Sequence, residues 1–347
     1  MNSIESLKAE VTKLKIELSS LWPRPGTGSR LRRFVLQACL AAWGLALLAA
    51  PAGAAPPSGK LLVAATIVPL GDFCQKIGGD LVQVQVLIPP GASPHVFEPA
   101  PSVMARASQA RVFVYIGAGL EPWAAKLLRS RGNSGQVVVE AAQGLQLLRE
   151  TCHHGCEQPG AKPAASHRET EAAPERHLGG NPHIWLDPVL VQDICRKIAG
   201  ALIQADPDHR ARYEANLKEY LAALEALHQE IQQHARAWTL RDFVSFHPSF
   251  SYFARRYNLH EAGVIEEAPG REPTPRQLQN LVTAVRRSGI RVVFAEPQFN
   301  PRMAEVIAQE AGVKVLMLDP IGGPPPYGSD YLKLMRYNLA ALDEALR

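Results

Sequence analysis

The sequence predicts an α/β fold of two lobes, each a mostly parallel β-sheet flanked by helices, joined by a long backbone helix. Three observations predict it. Short apolar runs alternate with amphipathic stretches over most of residues 60–347, the rhythm of strand and crossover helix in a parallel sheet. One helical-period run, from Tyr213 to Ile231, interrupts that rhythm, which then restarts. At several of the changes from loop to helix a capping residue stands directly before proline, as in Asp187-Pro188, Asp206-Pro207, Thr274-Pro275 and Asn300-Pro301, the expected signature of a helix start.

Taken in order, residues 61–67 form an unbroken apolar run, as in a strand covered on both faces. Residues 69–79 read as a helix closed by glycine, and 82–88 as a strand with period-two alternation that Pro89-Pro90-Gly91 ends. A helix over 100–109, a strand over 112–116, a helix over 122–130 and a strand over 137–139 follow. Between Ala141 and Pro182 the pattern dissolves into Gly, Pro, Ser, His and Glu, and such a long irregular insert is usually functional or disordered. Asp187-Pro188 then opens a helix over 188–205. Asp206-Pro207 opens the longest one, in which Tyr213, Leu217, Tyr220, Leu221, Leu224, Leu227 and Ile231 keep helical period to Ala237. About thirty residues rising 1.5 Å each make a rod of roughly 45 Å, long enough to bridge two lobes. Beyond it come a strand over 243–246, a helix over 249–257 and a strand over 260–265. Thr274-Pro275-Arg276-Gln277 is a capping box opening a helix to Ser288. A strand over 290–295, a helix capped by Asn300-Pro301, a strand over 313–318 and a helix over 331–346 complete the chain.

With 347 residues, 46% hydrophobic and 20% charged, the chain can build a sizeable core. Its net charge of +4 is local: residues 1–54 hold seven of the 37 Lys/Arg and three of the 33 Asp/Glu, leaving 30 of each. That balance points to no nucleic-acid partner. Residues 30–54 have the features of a signal peptide: Arg30, Arg32 and Arg33, an apolar run over 34–50, and the small-residue site Pro51-Ala52-Gly53-Ala54. A cleaved, periplasmic product beginning near Ala55 is expected; an uncleaved anchor is the alternative, because the run approaches the lower limit for a membrane span. Leu36-Gln37-Ala38-Cys39 is a poor lipid-attachment site, since most of the apolar run follows the cysteine. Residues 1–29 form an N-terminal extension in which Ile4, Leu7, Val11, Leu14 and Leu18 trace a short coiled-coil seam, too short to be stable alone. The expected organisation of the remainder is an N-terminal lobe over 55–205 with a His/Cys-rich loop at 151–180, a linking helix over 206–237, and a C-terminal lobe over 238–347.

Four candidates sit where a strand gives way to a helix: His95, His183, His247 and Asp319. Ligands of open α/β sheets bind beyond the carboxyl ends of strands, and two candidates come from each half, so a shared site would lie in the cleft between lobes. Three imidazoles and a carboxylate suit tetrahedral Zn²⁺. Their spacings of 88, 64 and 72 residues match no short metal motif, and Asp319 before Pro320 reads equally well as a turn or cap residue. Of the cysteines, Cys74 and Cys195 fall in apolar helical patterns as inert core residues. Cys152 and Cys156 are open to a loop disulfide or to metal binding.

Four motifs occur in order: Pro94-His95-x-x-Glu98-Pro99-x-Pro101-Ser102, Asn181-Pro182-His183-x-Trp185-Leu186-Asp187-Pro188, Phe246-His247-x-x-Phe250-x-Tyr252-Phe253-Ala254, and Phe294-x-Glu296-Pro297-Gln298. Together they resemble the metal-binding substrate-binding proteins of ABC importers, zinc-uptake type, over nearly all of residues 60–347. The resemblance implies two lobes joined by a backbone helix, a single metal ion in the cleft, a membrane permease as partner, and a monomeric periplasmic carrier without catalytic activity. It implies His95, His183 and His247 as ligands, with Asp319 at the position where some members close the site with a carboxylate and others use water. Manganese-type members resemble this chain but carry a carboxylate at the position of His247, so imidazole there favours zinc over Mn²⁺. Glu98 is expected to orient a histidine, Asp187 to cap its helix, Glu296 to sit at a lobe or hinge contact, and His209, His228 and His234 to be solvated.

Zinc-type members often carry a histidine-rich loop before the second site histidine, and here Cys152, His153, His154, Cys156, His167 and His177 occupy that place. An auxiliary metal site and a plain polar loop with a small disulfide are both open. The competing function from another class is a secreted zinc hydrolase, which needs an open metal position and a general base; no His-Glu-x-x-His element is present. A manganese or iron carrier, or an adhesin on the same fold, is a further alternative.

Overall fold

In the computed structural model the described residues are 59–131, 135–149, 180–267, 270 and 272–347. The N-terminal extension, the signal segment and the His/Cys group at 152–177 lie outside them.

Strands β1 (Leu61–Ala65), β2 (Val82–Val86), β3 (Val112–Tyr115) and β4 (Val137–Glu140) form a sheet in the order β2-β1-β3-β4, every pair parallel. Helices α1 (Val68–Gly78), α2 (Pro101–Gln109) and α3 (Pro122–Arg131) make the crossovers, and α4 (Pro188–Ala205) follows the insert. The close fit of α1 on β2 depends on Gly71, where a Cβ would come within 2.5 Å of Val86. In the second half β5 (Asp242–Ser245), β6 (His260–Val264), β7 (Val292–Ala295) and β8 (Lys314–Met317) repeat the arrangement as β6-β5-β7-β8, again all parallel. Helices α6 (Ser251–Arg256), α7 (Pro275–Ser288) and α8 (Arg302–Ala311) accompany them, and α9 (Tyr331–Leu346) closes the chain.

Between the halves runs α5 (Arg210–Ala237), whose 28 residues span about 42 Å. Tyr213, Tyr220, Leu224, Leu227, Ile231 and Ala235 are its buried face, the stripe that the helical period predicts. Asp206 departs from the expected role of N-cap. A short 3₁₀ turn, Pro207–His209, precedes the helix, and the Asp206 carboxylate accepts the Tyr213 hydroxyl at 2.7 Å and pairs with His209 instead of capping. The other caps form as expected: Asp187 accepts from the Val189 amide, Thr274 and Gln277 make a reciprocal capping box, and Asn300 accepts from the Arg302 amide. Asp187 also holds the Arg256 guanidinium, at 2.7 and 2.9 Å. The histidines of this region are not simply solvated: His209 pairs with Asp206, His228 with the Tyr257 hydroxyl, and His234 with Asp343.

One hydrophobic core runs from the first sheet through α4 and α5 to Phe243, Phe253, Tyr331 and Leu339 of the second half. A smaller one, with Val244, Phe246, Leu281, Val285, Val293 and Ile307, fills the space between the second sheet and helices α7 and α8. Polar ties cross between the halves. The Trp185 indole donates to the Pro320 carbonyl at 2.6 Å and the Tyr331 hydroxyl to the Trp185 carbonyl at 2.8 Å. Asp72 accepts from both the Tyr220 hydroxyl and the Tyr331 amide, and its burial pushes its carboxyl up to about 6. Cys74 and Cys195 are buried free thiols, as expected of core cysteines, and burial raises both well above the ordinary thiol range.

Candidate metal centre

The candidate residues gather beyond the carboxyl ends of the strands. His95 lies on the loop after β2, past the Pro89-Pro90-Gly91 break. His183 sits between the Asn181-Pro182 turn and a 3₁₀ turn, Ile184–Leu186, that feeds α4. His247 lies two residues past the end of β5 and Glu296 directly after β7. Among the described residues, the His, Cys, Asp and Glu side chains with ligand atoms close enough to share one ion are His95, His183 and His247, with those atoms all within 4.8 Å of one another. The Nε2 atom of His183 is 3.0 Å from that of His95 and 3.1 Å from that of His247.

Two of these rings have an acceptor at Nδ1. His247 donates from Nδ1 to the Glu296 carboxylate at 2.7 Å. His183 donates from Nδ1 to the Asn181 side-chain oxygen at 2.9 Å, an oxygen that also accepts the His183 amide at 3.0 Å. Where both rings are neutral, each turns an Nε2 lone pair toward the other. Two lone pairs at 3.1 Å do not attract, so the arrangement calls for a cation or a shared proton between them. Tetrahedral zinc with nitrogen bonds of 2.0–2.1 Å would separate such atoms by about 3.4 Å, close to the spacing found. His183 and His247 are each only 3% exposed.

The pocket in front of the rings has room for about one water-sized particle. Ser93, Glu296, Gln298, Phe299 and Ile321 share its lining with the histidines. In that lining Ser93 Oγ, Glu296 Oε2 and Gln298 Oε1 are buried without a hydrogen-bond partner among the described residues. Buried orphans of this kind ordinarily mark an unseen water or ion.

Asp319 is not brought into the group. Its Oδ1 accepts from Gln298 Nε2 at 2.8 Å and from the amides of Ile321 and Gly322 at 2.9 and 3.0 Å, and its Oδ2 accepts the Tyr327 hydroxyl. Asn338 holds both polar atoms of its peptide group. The turn reading of Asp319-Pro320 thus accounts for the residue: its carboxylate organises the loop after β8. Glu98 is exposed; Glu296 fills the orienting role that was expected of Glu98, and it lines the pocket together with Ser93, His95 and His183 of the first half. Two more buried carboxyls, Glu261 and Glu266, stand near His247, and burial pushes both up. The sequence signal for Glu296 was its position immediately after an apolar strand, shared with His247. That for Asn181 was an Asx residue two before the histidine, the spacing at which such side chains reach a main-chain amide.

The family model for the zinc-uptake complex component A, periplasmic (ZnuA), matches residues 63–345. The high-affinity zinc uptake system protein ZnuA of Bacillus subtilis (strain 168) is 30% identical over 318 residues, covering 90% of this chain and 96% of its own. A crystal structure of ZnuA superposes with a TM-score of 0.70 at 35% identity, covering 83% of this chain and all of that one. The laminin-binding protein Lmb of Streptococcus agalactiae, described as bifunctional with adhesin and metal transporting activity, gives 0.68 at 30% identity, with 83% and 100% covered. Two parallel four-stranded sheets, a long helix between them and three convergent imidazoles agree with that match, and the chain belongs to the ZnuA family of zinc-uptake components.

Proposed function

We propose that this protein is a periplasmic carrier that captures Zn²⁺ between its lobes and delivers it to the membrane permease of an ABC importer. His95, His183 and His247 bind the ion through Nε2. The observation that carries this is the convergence of the three Nε2 atoms, with the rings of His183 and His247 oriented through Nδ1 by Asn181 and Glu296. Imidazole nitrogen suits zinc better than the harder Mn²⁺, and Glu296 leaves a buried negative charge beside a dication.

Water takes the fourth position. Asp319 is committed to four hydrogen bonds, whereas the orphaned oxygens of Glu296 and Gln298 border the pocket and can accept the protons of a metal-bound water. The same pocket argues against a hydrolase, since it has no room for an ester or peptide beside the ion. Among the described residues no helix is long and apolar enough to cross a membrane, and export by residues 30–54 with cleavage near Ala55 completes the reading. The mature protein acts as a monomer.

The test is metal analysis of protein purified from its own cell envelope, followed by competition titration of the stripped protein. One zinc per chain and no hydrolysis of ester or peptide substrates are expected. A stripped protein that takes up no zinc, or metal-dependent turnover, would overturn the proposal.

A further inference from the structure

Asn181 is 3% exposed and every polar atom it has is used. Its amide donates to the Leu148 carbonyl at 2.8 Å, and its carbonyl accepts the Tyr252 hydroxyl at 2.7 Å. Its side-chain oxygen accepts the amide and Nδ1 of His183. Its side-chain nitrogen donates to the Pro248 carbonyl at 2.7 Å and lies 3.4 Å from Ser251 Oγ. Main-chain groups make this assignment unambiguous. The His183 amide can only donate, so it must face the oxygen, and the Pro248 carbonyl can only accept, so it must face the nitrogen. The oxygen then requires a proton on Nδ1 of His183, so that a neutral ring carries its lone pair on Nε2.

Pro248 directly follows His247, so one amide group spans from a ligand of the first half to the main chain beside the ligand of the second. Tyr252, from α6 of the second half, holds the same residue by its carbonyl and also accepts the Leu148 amide at 3.0 Å. We propose that Asn181 is a positioning residue that couples the two lobes' ligands: it orients His183 with Nε2 toward the ion and ties that segment to the carbonyl beside His247, so that zinc retention depends on its side-chain donor. This rests on the carrier reading above.

The two functions of the amide separate by substitution. Asn181→Asp keeps the acceptor for His183 and loses the donor, setting a carboxylate oxygen against the Pro248 carbonyl. Asn181→Ala loses both. Zinc affinity of the full chain is measured by chelator competition, zinc release by stopped-flow transfer to a chelator in excess, and the His183 tautomer by ¹⁵N-detected ring NMR of the metal-free protein. For Asn181→Asp the Nδ1–H tautomer persists while zinc is released about tenfold faster; for Asn181→Ala the tautomer mixes and affinity falls about 10–100-fold. Tyr252→Phe removes a hydroxyl from the main chain of Asn181 without touching its side chain, and accelerates release even if Asn181→Ala does not fold. Wild-type release rates in both Asn181→Asp and Tyr252→Phe would overturn the coupling alone, provided the wild type binds zinc. A wild type that binds none would overturn the carrier reading and the coupling with it.

Discussion

The two halves share strand order and parallel pairing, but they support their histidines by different means. In the first half His183 leans on a neutral amide, Asn181. In the second, His247 leans on a carboxylate, Glu296, with Glu261 and Glu266 buried nearby. Their packing differs as well: the first sheet shares one core with the linking helix and part of the second half, whereas the second sheet has a separate core on the side of α7 and α8. The contrast shows that one topology brings loops to the same edge twice, while charge can be concentrated on one side only. The amide orients one histidine; the carboxylate orients another and, in the proposed carrier, would also offset the charge of a dication.

The largest effect is expected from His183→Ala, because its Nε2 is the atom within 3.1 Å of both neighbouring histidine rings. Loss should exceed the 10–100-fold typical of an orienting residue, read by chelator competition, and a smaller loss would show that His95 and His247 hold the ion without it. Next comes Glu296→Gln, which keeps an oxygen for His247 but removes the charge. A fall of about 10–100-fold in zinc affinity is expected; no change would mean that charge does not distinguish the halves. His247→Glu sets a second carboxylate beside Glu296 and should shift preference from zinc toward manganese, and unchanged relative affinities in paired titrations would contradict this.

A smaller effect concerns the joint between the halves. Asp72 titrates at about 6 in the folded protein against 3.8 for the free group. Between those values the folded state keeps a proton that the unfolded chain has lost, so stability falls as pH rises and levels off above 6. Glu121, pushed up to about 7 by burial, acts with the same sign. Asp72→Asn retains an acceptor for Tyr220 and Tyr331, and should reduce the slope and stabilise the protein at pH 8 by on the order of 2 kcal/mol. Urea unfolding at pH 5 and pH 8 measures it, and an undiminished slope would place the pH sensitivity elsewhere. The smallest effect on the cleft is expected from deleting residues 152–178: the tight site persists, and its loss would show that the His/Cys segment supplies a ligand.

Much of the fold was legible in the chain because the signals were local. Helix α9 begins and ends at the expected residues, α4 does likewise, and the Thr274–Gln277 capping box forms as written. Strand ends were less legible: of the run over 82–88 the strand proper is Val82–Val86, while the Leu87 and Ile88 amides still donate to the Ala65 and Thr66 carbonyls as the chain turns out of the sheet. Asp206 misled because an Asp-Pro pair signals a cap equally well when the carboxylate has been taken by Tyr213.

By itself the sequence determined two repeating α/β halves, a rod between them, and three histidines at strand ends; periodicity and capping depend on neighbours within a few residues. Only the tertiary structure decided which groups meet. Asp319 and Glu296 are both acids placed just after apolar strands. Asp319 is bound by Gln298, Tyr327 and two amides of its own loop, and Glu296 holds the ring of His247. No local pattern separates them, because a carboxylate's role follows from the donors that reach it, and those arrive from distant parts of the chain.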